Sequence, residues 1–300
     1  MLISTYLRAL RLPFLTASVL PFIFGSLLPP GPFRMPSFVL GVLAVAATHL
    51  GANLINDYAD AMSGRDWHDP TYYGLFGGSK LIQEGRLPAA FFRAWGYALL
   101  TVGLAAAIAL TFGAGRLRVA GFFVGIAFLA WAYSHPPLRL GYRRLGEAVI
   151  FLLFGPAVVV GGAYLQSGVL NPSHALFLSL PCGFLTAGIL VANEVPDAAE
   201  DAASGKHTLV TWIGPARAFL LYGGLAAAAF GCVLAAVILG WLSSLALVGC
   251  AALPLAAAAT SILRRRHTDK RALVRSSGLA VAAQALTTLG MIAGALRVAG

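Results

Sequence analysis

Asparagine and carboxylate side chains gather in two short windows of this 300-residue chain. The first, NLINDYADAMSGRD from Asn53, holds Asp57, Asp60 and Asp66, with Asp69 just beyond. The second, NEVPDAAEDAASGKH from Asn193, holds Glu194, Asp197, Glu200 and Asp201. These eight are most of the 11 acids in the chain. Asn53 and Asp57 stand one helical turn apart and so share a face, as do Asn193 and Asp197. Asp60, and Glu200 with Asp201, extend each face by another turn. Each window thus presents an amide and at least two carboxylates, an oxygen-rich set suited to the hard cation Mg²⁺. No His is spaced to join them, and H-E-x-x-H is absent. Cys182, Cys232 and Cys250 sit alone in apolar runs with no C-x-x-C pair, and read as small buried hydrophobes.

The windows resemble each other. Asn53 and Asn193, Asp57 and Asp197, and Asp60 and Glu200 are each 140 residues apart. Ser-Gly-Arg at 63–65 is echoed by Ser-Gly-Lys at 204–206. This pattern reads as an internal duplication with two facing copies of one site. Facing carboxylates repel unless cations lie between them. Two Mg²⁺ ions bridging to a diphosphate meet that need, and Arg65, Lys80 and Lys206 can take the remaining phosphate charge. Metal and cations together would stabilise a departing pyrophosphate. Asp69, Glu84 and Arg86 read as solvated loop charges. Gly77-Gly78-Ser79 could form a phosphate nest, a weak signal alone because Gly pairs usually mark turns.

The rest of the chain must position these groups in an unusual solvent. Hydrophobic residues are 59% of the sequence and charged residues only 11%, against roughly 25% charged in ordinary globular chains. That excludes a soluble domain. The net charge of +10 does not indicate nucleic acid, because so little total charge cannot sheathe so much apolar sequence. Apolar runs at 13–28, 38–56, 89–112, 119–134, 147–167, 174–195, 217–239, 241–262 and 276–297 predict an all-α membrane protein. The expected fold is nine transmembrane helices around a central cavity, forming a single domain over 1–300 in the lipid bilayer. Its pseudo-repeat lies at 53–66 and 193–207. The N-terminal apolar run reads as a retained first helix rather than a cleaved signal. All cations but Arg34, Arg116, Arg118 and Arg297 fall on one side of this arrangement. That places the N-terminus and both acidic windows in the cytoplasm, at the ends of the second and sixth helices. Pro196 is expected to end or kink the sixth helix as its acids emerge. Arg outnumbers Lys, which hints at a bacterial gene and hence an inner, cytoplasmic membrane.

At these residues the sequence resembles the UbiA-type intramembrane prenyltransferases over essentially its whole length. A third mark is YSHPPLRLGYRRLGE at 133–147, similar to the family's loop between helices four and five. Within the family it looks most like the menaquinone branch, the 1,4-dihydroxy-2-naphthoate polyprenyltransferases. NLINDYADAMSGRD, GGSKLIQEGRL at 77–87 and NEVPDAAEDAASGKHTLV carry that likeness. Glu194 departs from it, standing where a second Asn is common, and so does Lys80. The resemblance implies a Mg²⁺-dependent transfer of a prenyl group from a polyprenyl diphosphate to an aromatic acceptor. It implies one Mg²⁺ at Asn53, Asp57 and Asp60, with Asp66 adding to the site, and a second at Asn193, Asp197 and Asp201. Lys206, Lys80 and Arg65 would bind diphosphate, and Tyr133 would line the pocket near the allylic carbon. Arg139 and Arg143 would meet the acceptor carboxylate or the diphosphate. Tyr133 reads equally as an interfacial anchor, and Arg139 and Arg143 as positive-inside charges. Rival readings are the same fold acting on 4-hydroxybenzoate, homogentisate, a porphyrin or a lipid glycerol, and a secondary transporter. A CDP-alcohol phosphotransferase would need D-x-x-D-G-x-x-A-R, which does not occur.

Overall fold

The computed structural model describes residues 2–113, 115–170 and 172–296, and the regular elements among them are all helices. The helices are α1 (Leu2–Leu10), α2 (Thr16–Leu27), α3 (Met35–Met62), α4 (Ala89–Phe112), α5 (Arg118–Ser134) and α6 (Gly146–Leu152). They continue as α7 (Val158–Ser167), α8 (Pro172–Ala203), α9 (Leu209–Ile213), α10 (Ala218–Ile238), α11 (Leu253–Arg265) and α12 (Lys270–Leu296). A π-turn over Leu153–Ala157, at Pro156, joins α6 to α7. A 3-10 segment over Ser244–Ala252 leads into α11.

Seven stretches are long and apolar enough to span a bilayer: 35–62, 89–112, 146–167, 174–203, 215–238, 244–265 and 270–296. The pair Ile3–Leu10 and Leu12–Leu27, bent by 44°, makes an eighth if taken as one span. Nine were expected. The shortfall is α5, whose 17 residues rise only about 25 Å, against a hydrocarbon core of ~30 Å. The bundle closes on itself because α12 packs against α2, while α8 packs against α6, α10 and α12. Close packing needs small residues. A Cβ on Gly290 would strike the backbone of Gly249, where α12 crosses the 244–252 segment. The outward faces carry exposed Ile108, Phe112, Val124, Phe128, Leu220 and Ile238, the surface that lipid rather than water accommodates.

α8 does not end at Pro196 but runs through it to Ala203. A proline removes one backbone donor, and the packing of α8 on three neighbours holds the helix together across that gap. The cations separate by end. Arg8 and Arg11 meet the loop and helix end that carry the first acidic window. Arg34, Arg116 and Arg118 gather at the other end around Tyr164–Gln166. Arg297 lies outside the described residues. All three cysteines are free thiols; Cys182 is buried as expected, whereas Cys232 and Cys250 are only partly buried.

Candidate active site

The last three turns of α3 present Asn53, Asn56, Asp57 and Asp60 inward. Asn53 donates to the Leu10 carbonyl (3.4 Å) and Asn56 to Ser134 Oγ (3.2 Å). Asp57 accepts the Ser79 amide (2.9 Å) and lies 3.5 Å from the Arg11 guanidinium. Asp60 accepts from the Tyr142 hydroxyl (2.9 Å) and from Arg65 (3.2 Å). Facing it, the end of α8 supplies Asp197, which accepts from Arg65 (2.9 Å) and from the Gly77 amide (3.1 Å). Asp201, fully buried, accepts from Arg65 Nε (2.5 Å), and its second oxygen lies 3.5 Å from Lys206 Nζ.

Arg65 therefore stands between the two windows and touches Asp60, Asp66, Asp197 and Asp201 at once. It is 6% exposed. Burial alone would push its guanidinium pKa down, but the four carboxylates, Asp60 foremost, hold it well above the usual value. Asp66 bonds Lys80 Nζ (3.0 Å) as well as Arg65. Burial and the neighbouring Asp60 charge still raise its carboxyl to about 7, against the pull of Lys80 and Arg65. Burial and then Asp60 also push the Tyr142 phenol up, so it remains a donor.

The loop from Gly64 to Pro88 lies across both windows. Gly77 and Gly78 have φ of 72° and 78°, which only glycine adopts freely. A Cβ on Gly78 would come within 3.0 Å of Asp66 and 3.2 Å of Asp57. The expected phosphate nest takes a different form here, because the Gly77 and Ser79 amides already bond the carboxylates of Asp197 and Asp57. Segments 135–145 and 204–208 are tied by Arg144 N–H to the His207 carbonyl (2.7 Å) and His207 N–H to that of Tyr142 (3.1 Å). That tie sets Tyr142 and Lys206 beside the acids.

Below this polar cluster lies a cavity of about 320 Å³. Asn53, Asp60, Arg65, Asn193, Asp197, Lys206 and Tyr133 line its polar part, and Phe14, Phe22, Phe76, Phe122 and Phe154 are among its apolar walls. Asp57, Asp66, Asp201 and Lys80 stand just behind, bonded to the groups above. Arg139 and Arg143 do not line the cavity. The Arg143 side chain turns back to the Pro137 carbonyl (2.8 Å), and the Arg139 guanidinium lies 5.2 Å from the Tyr142 ring centre. Glu200, at the repeat position of Asp60, turns away to Lys270 (2.7 Å). The charges read as solvated have partners: Asp69 with Lys270 (2.7 Å), Glu84 with Arg8 (2.6 Å), and Arg86 with Thr5. Arg11, Asn56, Tyr142 and the buried Glu147 were not singled out from sequence. Arg11 lies 46 residues from Asp57 in the chain, and no spacing rule links them. Tyr142 carried a faint signal as the aromatic residue among the cations of 139–144.

The donor set suits a hard divalent cation. It is all oxygen, and two of its atoms are buried without a hydrogen-bond partner among the described residues: Asn193 Oδ1, and Asp201 Oδ2, which has only the Lys206 ammonium 3.5 Å away. Among the described residues no three His, Cys, Asp or Glu side chains already converge as a preformed metal cage. The Arg65 guanidinium supplies the positive charge among the carboxylates instead.

An inward-facing pair of acid-tipped helices over an apolar cavity is the architecture of an intramembrane transferase. The sequence profile of the UbiA prenyltransferase family matches residues 18–282, and the chain belongs to that family. It is 31% identical over 266 residues to 1,4-dihydroxy-2-naphthoate octaprenyltransferase of Mycobacterium leprae, covering 87% of this chain and 85% of that one. It is 30% identical to UbiA prenyltransferase domain-containing protein 1 of Gallus gallus, over 73% of this chain and 65% of the relative. Among solved structures, the fold is similar to a UbiA homolog from Archaeoglobus fulgidus bound to GPP and Mg²⁺. That match has a TM-score of 0.64 and 18% identity, and covers 96% of this chain and 99% of the other. The apo UbiA homolog from Aeropyrum pernix K1 superposes with a TM-score of 0.67 at 19% identity, over 93% and 97% of the two chains.

Proposed function

We propose that the protein transfers a polyprenyl group from an allylic prenyl diphosphate to 1,4-dihydroxy-2-naphthoate, with loss of the ring carboxyl as CO₂, in menaquinone biosynthesis. The observation that carries the reading is the pair of facing acidic helix ends, at α3 and α8, over an aromatic-walled cavity. The named activity of the mycobacterial relative supplies the acceptor. Asn53, Asp57, Asp60 and Asp66 would hold one Mg²⁺, and Asn193, Asp197 and Asp201 a second. When bound, the metal would neutralise charge growing on the pyrophosphate oxygens. Lys206, Arg65, Lys80 and Arg11 offer the remaining positive charge to the diphosphate. The apolar walls exclude water from an allylic carbon that becomes positive as its C–O bond breaks. Tyr133 and the phenylalanine faces can each stabilise that charge by about 0.5–2 kcal/mol. The acceptor ring carbon then forms the new C–C bond.

In this reading α5 completes nine spans and residues 1–300 form a single transmembrane domain. The acidic end and the N-terminus face the cytoplasm across a bacterial inner membrane, in keeping with the cations at that end. The test is pyrophosphate release from a labelled prenyl diphosphate by protein in detergent or nanodiscs, with and without the naphthoate. Release coupled to a prenylated, decarboxylated product supports the reading. Turnover with 4-hydroxybenzoate or another acceptor in its place overturns the acceptor assignment.

A further inference from the structure

Two turns deeper than the acids, the cavity contains a polar pair that the chemistry above does not use. His49, on α3, is 8% exposed and lines the cavity beside Ser18 of α2, which is 3% exposed. Ser18 Oγ lies 2.7 Å from His49 Nδ1 and 3.1 Å from the Leu15 carbonyl. A hydroxyl has one proton to donate. Spent on the Leu15 carbonyl, which can only accept, it leaves Ser18 Oγ to accept from Nδ1–H. The neutral ring then carries its lone pair on Nε2. Nε2 has no hydrogen-bond partner among the described residues, and the ring is held edge-on to Phe154, 5.1 Å between centres.

A hydrogen-bond acceptor in an apolar cavity needs a donor. A prenyl tail has none. A carboxylate offers only lone pairs, which would face the lone pair of Nε2. A ring hydroxyl meets the need. Position matters as well. His49 lies four residues before Asn53 and eight before Asp57, on the same face of α3, which places it about 6 and about 12 Å along the axis from them. An aromatic ring between His49 and the acids would sit beside the allylic carbon of a diphosphate held at the acids.

We propose that His49, oriented by Ser18, recognises the aromatic acceptor by accepting a hydrogen bond from a ring hydroxyl through Nε2. The inference rests on the prenyltransferase reading above and deepens it. It assigns hydroxyl recognition to the α2–α3 wall, apart from the acidic groups that hold the diphosphate.

The test compares wild type, His49→Leu, His49→Gln and Ser18→Ala, with 1,4-dihydroxy-2-naphthoate and its mono-methoxy analogues as acceptors. Binding of a prenyl diphosphate with Mg²⁺, measured by calorimetry, reports that each variant is folded. The expected result is a KM for the dihydroxy acceptor raised at least about tenfold in His49→Leu, as for a site built around a substrate hydroxyl. Prenyl diphosphate affinity should stay within about twofold. Ser18→Ala should show a smaller rise, and His49→Gln should recover most of the loss because its amide oxygen also accepts. Wild type should discriminate against one of the methoxy analogues, and His49→Leu should not. An unchanged acceptor KM in His49→Leu, or discrimination that survives it, overturns the proposal. So does a loss of prenyl diphosphate binding in both His49→Leu and His49→Gln, which would make the residue structural. If wild type turns over none of these acceptors, the prenyltransferase reading fails instead.

Discussion

The acidic ends of α3 and α8 look like two copies of one device, yet the structure builds them differently. At α3 the carboxylates are held from several sides: Asp57 by the Ser79 amide and Arg11, Asp60 by Tyr142 and Arg65, Asp66 by Arg65 and Lys80. At α8 the support is sparse. Asp197 and Asp201 share Arg65, each with one further contact, Asn193 Oδ1 has no hydrogen-bond partner among the described residues, and Glu194 faces another buried carboxyl, Glu147. Arg65 belongs to the first window and neutralises both. The first end therefore organises the site, and the second is left with open oxygen atoms. Open oxygens cost stability when buried, and such a cost is retained where a ligand will meet them.

The largest expected effect comes from the ends themselves. Asp57→Asn and Asp197→Asn should each lower turnover at least about 100-fold, because each removes charge that balances metal at the leaving group. Steady-state pyrophosphate release measures it, and a much milder loss at one end would break the equivalence of the two. Next is Arg65→Ala. Removing one partner of a buried ion pair costs about 3–5 kcal/mol, here spread over four carboxylates. The melting temperature should fall in EDTA and recover with Mg²⁺; no recovery would mean that metal does not substitute for that charge.

Gly78→Ala should be milder. It forces a side chain into positive φ, at about 1–2 kcal/mol, and crowds Asp57 and Asp66 but not Asp197. Its signature would be a severalfold rise in the KM for prenyl diphosphate. Smallest is Lys270→Ala. It releases Asp69 and Glu200, whose side chains are each 21% exposed at the rim of the site, so global stability should change by only about 1 kcal/mol. Amide hydrogen exchange over residues 68–80 should nevertheless quicken, since that loop loses its tie to α12.

How much of this was legible in the sequence depended on distance along the chain. Asn53 with Asp57, and Asn193 with Asp197, needed only the helical turn. The membrane class needed only composition. The repeat arithmetic paired Asp60 with Glu200, but spacing does not say which flank of a helix meets the centre. At about 100° per residue, Glu200 and Asp201 lie on opposite sides of Asp197. Lys270 takes the first and Arg65 the second, and that choice is tertiary. Arg11 on Asp57 and Tyr142 on Asp60 are tertiary too. So is the placement of Arg139 and Arg143 away from the cavity, because backbone turns in 135–145 aim Tyr142 inward in their stead. The short α5 and the unbroken α8 show the same limit. An apolar run marks a helix without fixing its length, and Pro196 marks a weak point without deciding whether packing bridges it.

The most direct test of the two-ended site is calorimetric titration of a prenyl diphosphate into wild type, Asp57→Asn and Asp197→Asn, each with Mg²⁺ and with EDTA. The expected result is binding by wild type only when Mg²⁺ is present, and a marked loss of affinity in both variants. Binding that persists in EDTA, or that survives the loss of either carboxylate, would contradict a diphosphate held between the two helix ends through metal.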